Sequence, residues 1–143
     1  MSTRSLIGIE NADKTVSYVY CHYDGYLGHV GKILTNHYTD EKVIRQLLDL
    51  GELSSLGNTP VSNPEDWRKF RIDPEHIMCK AYKDRGDVDV DFNTVNSLDD
   101  YIMAGNERDA DYIYVFTLEH NWKYIQRAKD RVWRSVQESL RAN

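Results

Sequence analysis

The chain has 143 residues and a formal net charge of −5, with 41% hydrophobic and 29% charged residues. This length fits a single domain spanning 1–143. Because binding to phosphate backbones depends on clustered Lys and Arg, the acidic balance argues against general nucleic-acid binding. The N-terminus lacks the apolar core of a signal peptide, and no run reaches the roughly 18 apolar residues of a membrane helix. We therefore expect a cytoplasmic protein without membrane association.

The first half of the chain predicts a strand hairpin followed by a helical hairpin. Residues 5–10 and 15–23 are rich in β-forming residues and are separated by a turn-forming Asn-Ala-Asp-Lys segment. Residues 26–38 carry apolar side chains at helical spacing. Thr39 or Asp40 is suited to cap a second helix, which Gly51 would end.

The middle of the chain predicts an insertion and two strands. Residues 57–76 form a Pro-rich insertion loop that holds all three prolines, with a helical turn around Trp67. Residues 76–83 resume as a strand. Residues 87–92 alternate strictly between aspartate and apolar side chains, which is typical of a second strand.

The last part of the chain predicts a helix, a hairpin and a final helix. Ser97 is suited to cap a short helix that runs through Met103. Residues 111–118 and 121–126 pattern as a hairpin. Residues 128–141 pattern as an amphipathic helix within a basic C-terminal segment, 127–143, whose local charge is +3. This order predicts an α+β fold in which an antiparallel sheet of hairpins has helices packed on one face.

Neither cysteine indicates covalent chemistry. Cys21 and Cys79 are too few for a disulfide framework, and both lie in apolar, strand-like segments where a thiol behaves as a small hydrophobe. The chain also lacks a Gly-x-Ser-x-Gly nucleophile elbow. We therefore assign no catalytic residue and no cofactor, and we expect a reducing compartment.

The segment 20–31 concentrates polar groups between a predicted strand and a predicted helix. His22, Asp24 and His29 lie at a spacing that can bring two imidazoles and a carboxylate together. A metal site, a ligand-contact site and structural hydrogen bonding all fit this pattern. A third strong metal ligand at a fixed offset is missing, so we assign no metal.

Lys83 and Arg85 place two cations at the end of a predicted strand. An arginine fork at such a position can hold a phosphate or a carboxylate. A surface salt bridge to Asp84 is the alternative. If this strand pairs beside the first hairpin, the two cations form the wall opposite the segment 20–31.

Four stretches together resemble a family of small proteins of bacteriophages and prophages. These are residues 1–9 with Thr-Arg-Ser, residues 20–26 with Cys-His-x-Asp-Gly-Tyr, residues 48–57 with Leu-Ser-Ser-Leu-Gly, and residues 83–86 with Asp-Arg-Gly. The resemblance covers most of residues 1–126 and supplies no established activity. By analogy with small accessory phage proteins, it implies sequestration of a cyclic-nucleotide or ADP-ribose type signal of bacterial immunity.

We therefore expect a phage-encoded, homo-oligomeric binding protein for a nucleotide-like small molecule. Tyrosines would stack on a base, cations would pair with phosphate, and His22 or Asp24 would bond a ribose. The candidate ligand-binding residues are Arg4, Tyr20, His22, Asp24, Tyr26, His29, Lys83 and Arg85.

Two alternatives remain open. One is a small phosphodiesterase or nucleotide hydrolase that uses His22, Asp24 and His29. The other is a protein–protein inhibitor of a host enzyme that acts through the basic C-terminal segment and the Trp67 loop.

Overall fold

The computed structural model describes residues 2–65 and 78–142, and the nine strands of this part form one mixed sheet. In chain order the strands are β1 (Ser5–Glu10), β2 (Val16–Cys21), β3 (Leu53–Ser55), β4 (Thr59–Ser62), β5 (Met78–Ala81), β6 (Asn93–Val95), β7 (Tyr112–Phe116), β8 (Trp122–Gln126) and β9 (Arg134–Ser135). Their spatial order is β4-β5-β3-β2-β1-β7-β8-β9, and β6 pairs with β2.

The described part of the chain also contains four α-helices and, among its short helical turns, one before the first α-helix and one after β5. The helices are α1 (Lys32–His37), α2 (Glu41–Asp49), α3 (Leu98–Glu107) and α4 (Val136–Ala142). A π-helical turn at Leu27–Gly31 leads into α1, and a 3₁₀ turn at Tyr82–Arg85 follows β5. In the described residues no helix combines the length and the apolar character needed to cross a bilayer.

The predicted all-antiparallel sheet is wrong, because β1 pairs in parallel with β7, β2 with β3, and β4 with β5. Adjacent parallel strands need a long crossover connection, usually a helical one. The predicted helical hairpin between β2 and β3 is such a crossover. Its helices were expected from periodicity, but the parallel pairing that they make possible was not.

The helices pack on both faces of the sheet, so the expectation of one helical face is also wrong. On one face, α1, α2 and α4 cover strand residues such as Ile7 and Val19. On the other, α3 covers Leu6, Tyr18 and Tyr20, with Tyr101 buried at the contact. Strand alternation separates these two sets of side chains. The two faces of β1 therefore pack into different cores. We call the face of the sheet that α3 covers the α3 face.

Several predicted elements are confirmed. The strand at residues 5–10 is β1, the first hairpin is the antiparallel β1–β2 pair, and the closing hairpin is the antiparallel β7–β8 pair. The Asp40 side chain accepts a hydrogen bond from the Lys42 amide at the start of α2. The Ser97 side chain caps α3 in the same way through the Asp100 amide, although α3 runs past Met103 to Glu107.

Three predicted elements differ from the structure. Residues 87–92 contain no strand, and Asp89 has a φ of 57°, which a strand does not allow. The C-terminal helix begins at Val136, because Asp130 accepts a hydrogen bond from the Val132 amide and pairs with Arg134, forming a turn before β9. The range 57–76 contains β4, while its remainder from residue 66, with the Trp67 loop, lies outside the described residues.

Candidate functional site

The ends of β1 and β2 bring three of the predicted site residues together. Arg4 precedes Ser5, which pairs with Cys21, and His22 follows Cys21. In this antiparallel register Arg4 and His22 are cross-strand neighbours, and alternation places them on the α3 face with Tyr20. The sheet itself therefore places Arg4, Tyr20 and His22 side by side.

A hydrogen bond fixes the His22 imidazole. The Tyr20 hydroxyl lies 2.7 Å from His22 Nδ1. Burial and the nearby Arg4 cation lower the pKa of His22 below its ordinary value of 6.5, and burial raises the pKa of Tyr20. At neutral pH the imidazole is therefore uncharged and the phenol is protonated, so Tyr20 donates to Nδ1. The proton on Nε2 remains available as a donor.

A second arginine covers the Tyr20 ring. Arg108, just past the end of α3, places its guanidinium carbon 4.2 Å from the centre of that ring. The same guanidinium forms an ion pair with Glu52, whose side chain is only 17% exposed. Glu52 precedes Leu53, which pairs in parallel with Cys21, so Glu52 lies level with Tyr20 on the α3 face. This pair joins α3 to β3 across the predicted site.

Arg4 contributes an uncompensated cation. Its backbone amide is held by the Asp111 carboxylate, but its guanidinium makes no ion pair with any residue in the described part of the chain. The charge is close enough to lower the pKa of both Tyr20 and His22. A half-buried arginine without a carboxylate partner is suited to receive an anion.

The 3₁₀ turn adds another aromatic ring and another cation. Tyr82 lies near Tyr20, whose pKa is raised first by burial and further by the neighbouring Tyr82 phenol, while Arg4 and Arg108 oppose the rise. The Arg85 guanidinium carbon lies 4.9 Å from the centre of the Tyr82 ring. We name the whole set the tyrosine–arginine cluster, and its members are Arg4, Tyr20, His22, Tyr23, Glu52, Tyr82, Arg85 and Arg108.

The remaining predicted residues lie apart from the cluster or are engaged in local contacts. Asp24 is exposed at a φ of 57°. The rings of Tyr26 and His29 pack on each other at 6.0 Å, around the π-helical turn. Lys83 Nζ contacts Asp91 at 3.0 Å and the Asp49 carbonyl at 3.2 Å, toward the end of α2.

Arg85 carries a bidentate salt bridge as well as its contact with Tyr82. Its Nε and Nη2 atoms donate to the two carboxylate oxygens of Asp87 at 2.9 and 2.7 Å. The salt bridge expected as the alternative at this turn involved Asp84, whereas Arg85 pairs with Asp87 and Lys83 with Asp91. The guanidinium is oriented by Asp87 beside the ring of Tyr82.

Gly25 holds the segment 20–31 tightly against β1. Its amide donates to the Thr3 carbonyl at 2.8 Å, and its own carbonyl accepts from the Tyr114 hydroxyl at 2.7 Å. A Cβ at this position would lie 2.7 Å from the Ser5 Cβ atom. Glycine is therefore required here by close packing, which directs the chain away from the cluster immediately after Tyr23.

Two hollows in the described part of the molecule lie away from the cluster. A hollow of about 890 Å³ lies beside α2, and one of about 510 Å³ lies between α1 and α4, both lined by other residues. Within residues 2–65 and 78–142, no group of three or more His, Cys, Asp or Glu side chains is arranged to hold a metal ion. His22, Asp24 and His29 are thus not joined into such a group.

Sequence reasoning missed Glu52 and Arg108. The two residues are 56 positions apart, and neither belongs to a local motif. The Glu52–Arg108 contact depends on the parallel β2–β3 pairing and on the position of α3. Neither of these can be predicted from local periodicity.

Comparisons of the chain with protein-family models, with curated proteins and with solved structures found no match.

Proposed function

We propose that this protein binds a nucleotide-derived small molecule at the tyrosine–arginine cluster and holds it without chemical conversion. The observation that carries the proposal is the guanidinium of Arg108 over the Tyr20 ring, with the unpaired guanidinium of Arg4 beside His22. The resemblance to phage proteins suggests the biological role, which is sequestration of a bacterial immune signal.

The arginines supply the recognition of phosphate. A guanidinium stays charged at every physiological pH and presents a planar fork of donors that matches two phosphate oxygens. Among residues 2–65 and 78–142 no carboxylate pairs with the Arg4 guanidinium, so an anion can approach it without breaking an ion pair of this part of the chain. Arg108 is paired with Glu52, which orients its guanidinium, so the other N–H donors of Arg108 are presented from a fixed position.

The aromatic side chains supply the recognition of a base. Tyr23 is 47% exposed, and the His22 ring packs edge-on against it with centroids 4.4 Å apart. Stacking on an aromatic face contributes about 1–3 kcal/mol per base. The Nε2 proton of His22 and the carboxylate of Glu52 are suited to hydrogen-bond ribose hydroxyls.

The protonation state of His22 favours binding over catalysis. Its Nδ1 lone pair is occupied by the Tyr20 hydroxyl, and its low pKa disfavours the imidazolium form. The neutral ring therefore offers a hydrogen-bond donor, and neither a free basic nitrogen nor a ready general acid. The buried thiols of Cys21 and Cys79 have raised pKa values, which opposes a nucleophilic role.

Native mass spectrometry tests this proposal directly. The protein is incubated with a mixture of ADP-ribose, cyclic di-AMP and AMP, and separately with lysate from phage-infected cells. We expect a ligand adduct on the folded protein. After denaturation, the released ligand should have the mass of the intact compound. The same spectra report the number of subunits and therefore test the expected homo-oligomer.

Two other results would each favour one of the alternative functions over the proposed one. Release of a cleaved nucleotide would indicate the hydrolase that uses His22, Asp24 and His29. Retention of a host protein in place of a small molecule would indicate the inhibitor. In that case charge reversal at Arg131 and Arg134 should abolish the interaction, whereas Arg85→Ala should leave it intact.

A further inference from the structure

A second hollow lies on the sheet face opposite the tyrosine–arginine cluster. It has a volume of about 570 Å³ and opens between the β7–β8 pair, α4 and the π-helical turn. Its lining includes Leu27, Tyr112, Tyr124, Lys129, Arg134 and Ser139. The volume lies within the range of about 300–1,000 Å³ that is usual for small-molecule sites.

Ordered aromatic rings form one wall of this hollow. The rings of Tyr112 and Tyr124 lie 6.2 Å apart at an interplanar angle of 31°, and Tyr112 also stacks on Tyr114 at 6.0 Å. The Tyr124 hydroxyl bonds to the Ser139 hydroxyl of α4 at 3.0 Å. Tyr112 is only partly buried, so its ring remains accessible from the hollow. The wall is thus rigid before any ligand arrives, which lowers the entropic cost of binding.

Cations also line the hollow, and Arg134 lies directly across from Tyr124 in the β8–β9 pair. Lys129 and Arg134 supply two positive charges to the lining and Asp130 supplies one negative charge, which leaves one net positive charge. Asp130 Oδ2 accepts from Arg134 Nη2 at 2.7 Å and so orients this guanidinium. The Lys129 ammonium makes no ion pair with a residue of the described ranges and therefore carries the excess charge.

An apolar side chain forms one end of the hollow. Leu27, which lines it, is the first residue of the π-helical turn and packs against the larger core. π-helical turns interrupt regular helices and are frequent at functional sites. Aromatic, cationic and apolar groups thus meet in one hollow, each from a different element.

We propose that this hollow binds a small planar aromatic molecule that carries one anionic group. The ring packs against Tyr112 and Leu27, and the anion pairs with Lys129. This site is separate from the tyrosine–arginine cluster, since the two lie on opposite faces of the sheet. The inference does not rest on the function proposed above.

A calorimetric titration with 2-naphthoate tests the site. The neutral analogue 2-naphthamide has the same ring without the charge. We expect 2-naphthoate to bind, and 2-naphthamide to bind about threefold to tenfold more weakly, as suits the loss of one partly exposed charge contact. Lys129→Gln should weaken 2-naphthoate by a similar factor.

Lys123→Gln is the matched control, because Lys123 is exposed on β8 and its side chain points to the other face from Tyr124. It removes the same charge and should leave the affinity for 2-naphthoate unchanged.

Tyr112→Leu should weaken the binding of both compounds, and circular dichroism checks that the variants remain folded. Arg4→Gln, in the other site, should have no effect.

Equal affinities for 2-naphthoate and 2-naphthamide would overturn the proposal. So would unaltered binding by Lys129→Gln, a loss caused by Arg4→Gln, or no detectable binding of 2-naphthoate at millimolar concentration.

Discussion

The hydrogen bond between Tyr20 and His22 sets the chemistry of the cluster, because it fixes which imidazole nitrogen carries a proton. The lowered pKa of His22 arises first from burial and second from the Arg4 cation. Folding therefore favours the neutral imidazole. The stability contributed by this preference is fully present above pH 6.5 and is lost as the pH falls below 6.5 toward the folded pKa of His22.

A titration of His22 by nuclear magnetic resonance checks this assignment. We expect a His22 pKa below 6.5 in the folded protein. Arg4→Gln should raise it, because the substitution removes a cation that opposes protonation. Arg45→Gln is the control, since Arg45 lies on α2 and pairs with Glu41. A His22 pKa unchanged by Arg4→Gln would place Arg4 outside the cluster.

Burial makes both thiols unreactive. It raises the pKa of the Cys21 thiol to about 12 and also raises that of Cys79. The Gly57 amide, which donates to Cys79 Sγ at 3.2 Å, lowers the Cys79 pKa and offsets only part of the rise caused by burial. The reactive thiolate form is therefore rare at neutral pH.

We expect the folded protein to resist labelling by 5,5′-dithiobis(2-nitrobenzoic acid), and both cysteines to react in guanidinium chloride. A Met103→Cys variant supplies an exposed control, because Met103 is 59% exposed on α3. Its added thiol should react in the folded state. Rapid labelling of the unaltered folded chain would show that Cys21 or Cys79 is accessible.

The contact between α3 and β1 depends on the small size of Gly8. A Cβ at Gly8 would lie 2.8 Å from the Tyr101 hydroxyl oxygen and 2.9 Å from its ring carbon Cζ. Tyr101 is fully buried, and its hydroxyl donates to the Tyr114 carbonyl at 2.6 Å. Room for an added methyl group would have to come from moving this ring and disturbing its hydrogen bond.

Gly8→Ala should therefore lower the free energy of unfolding by about 1–3 kcal/mol, the usual cost of overpacking a core. Urea denaturation followed by circular dichroism measures this change. Gly28→Ala is the matched control, because the nearest atoms to its Cβ would be 3.8 Å away on Tyr26. A Gly8→Ala protein as stable as Gly28→Ala would contradict the packing described for α3.

Local sequence patterns correctly predicted those helices and strands that are specified by their own residues. A run of β-forming residues located β1, and side-chain caps located the starts of α2 and α3. Alternation failed at residues 87–92, where the backbone of Asp89 is left-handed. Helical spacing failed before Val136, where an aspartate turn ends the periodicity. The periodicity of apolar residues does not report such backbone turns.

The candidate site was predicted only in part, because sequence patterns report contacts between neighbouring residues and not contacts between distant ones. Tyr20 and His22 share a face because strand alternation is local, and Arg4 joins them through a hairpin that the sequence also predicted. The Glu52–Arg108 pair needs the parallel β2–β3 pairing, which the sequence did not predict. Lys83 was expected in the site but turns toward Asp91 and α2.

The mixed sheet has two faces, and each face carries one candidate site. The α3 face carries the tyrosine–arginine cluster, and the face under α1, α2 and α4 carries the hollow at Tyr112. Both sites place arginine or lysine beside tyrosine in a chain whose net charge is −5. Local clusters of cations in an acidic protein favour discrete anionic ligands over an extended polyanion.

Isothermal titration calorimetry on two matched variants tests the ligand site most directly. Arg4→Gln and Arg45→Gln each remove one guanidinium, the first inside the tyrosine–arginine cluster and the second on α2. With ADP-ribose or cyclic di-AMP, whichever forms the adduct in native mass spectrometry, we expect Arg4→Gln to weaken binding about tenfold, as suits the loss of a charge-assisted hydrogen bond. Arg45→Gln should bind as the unaltered protein does. Equal affinities of the two variants would contradict a phosphate-binding role for this cluster.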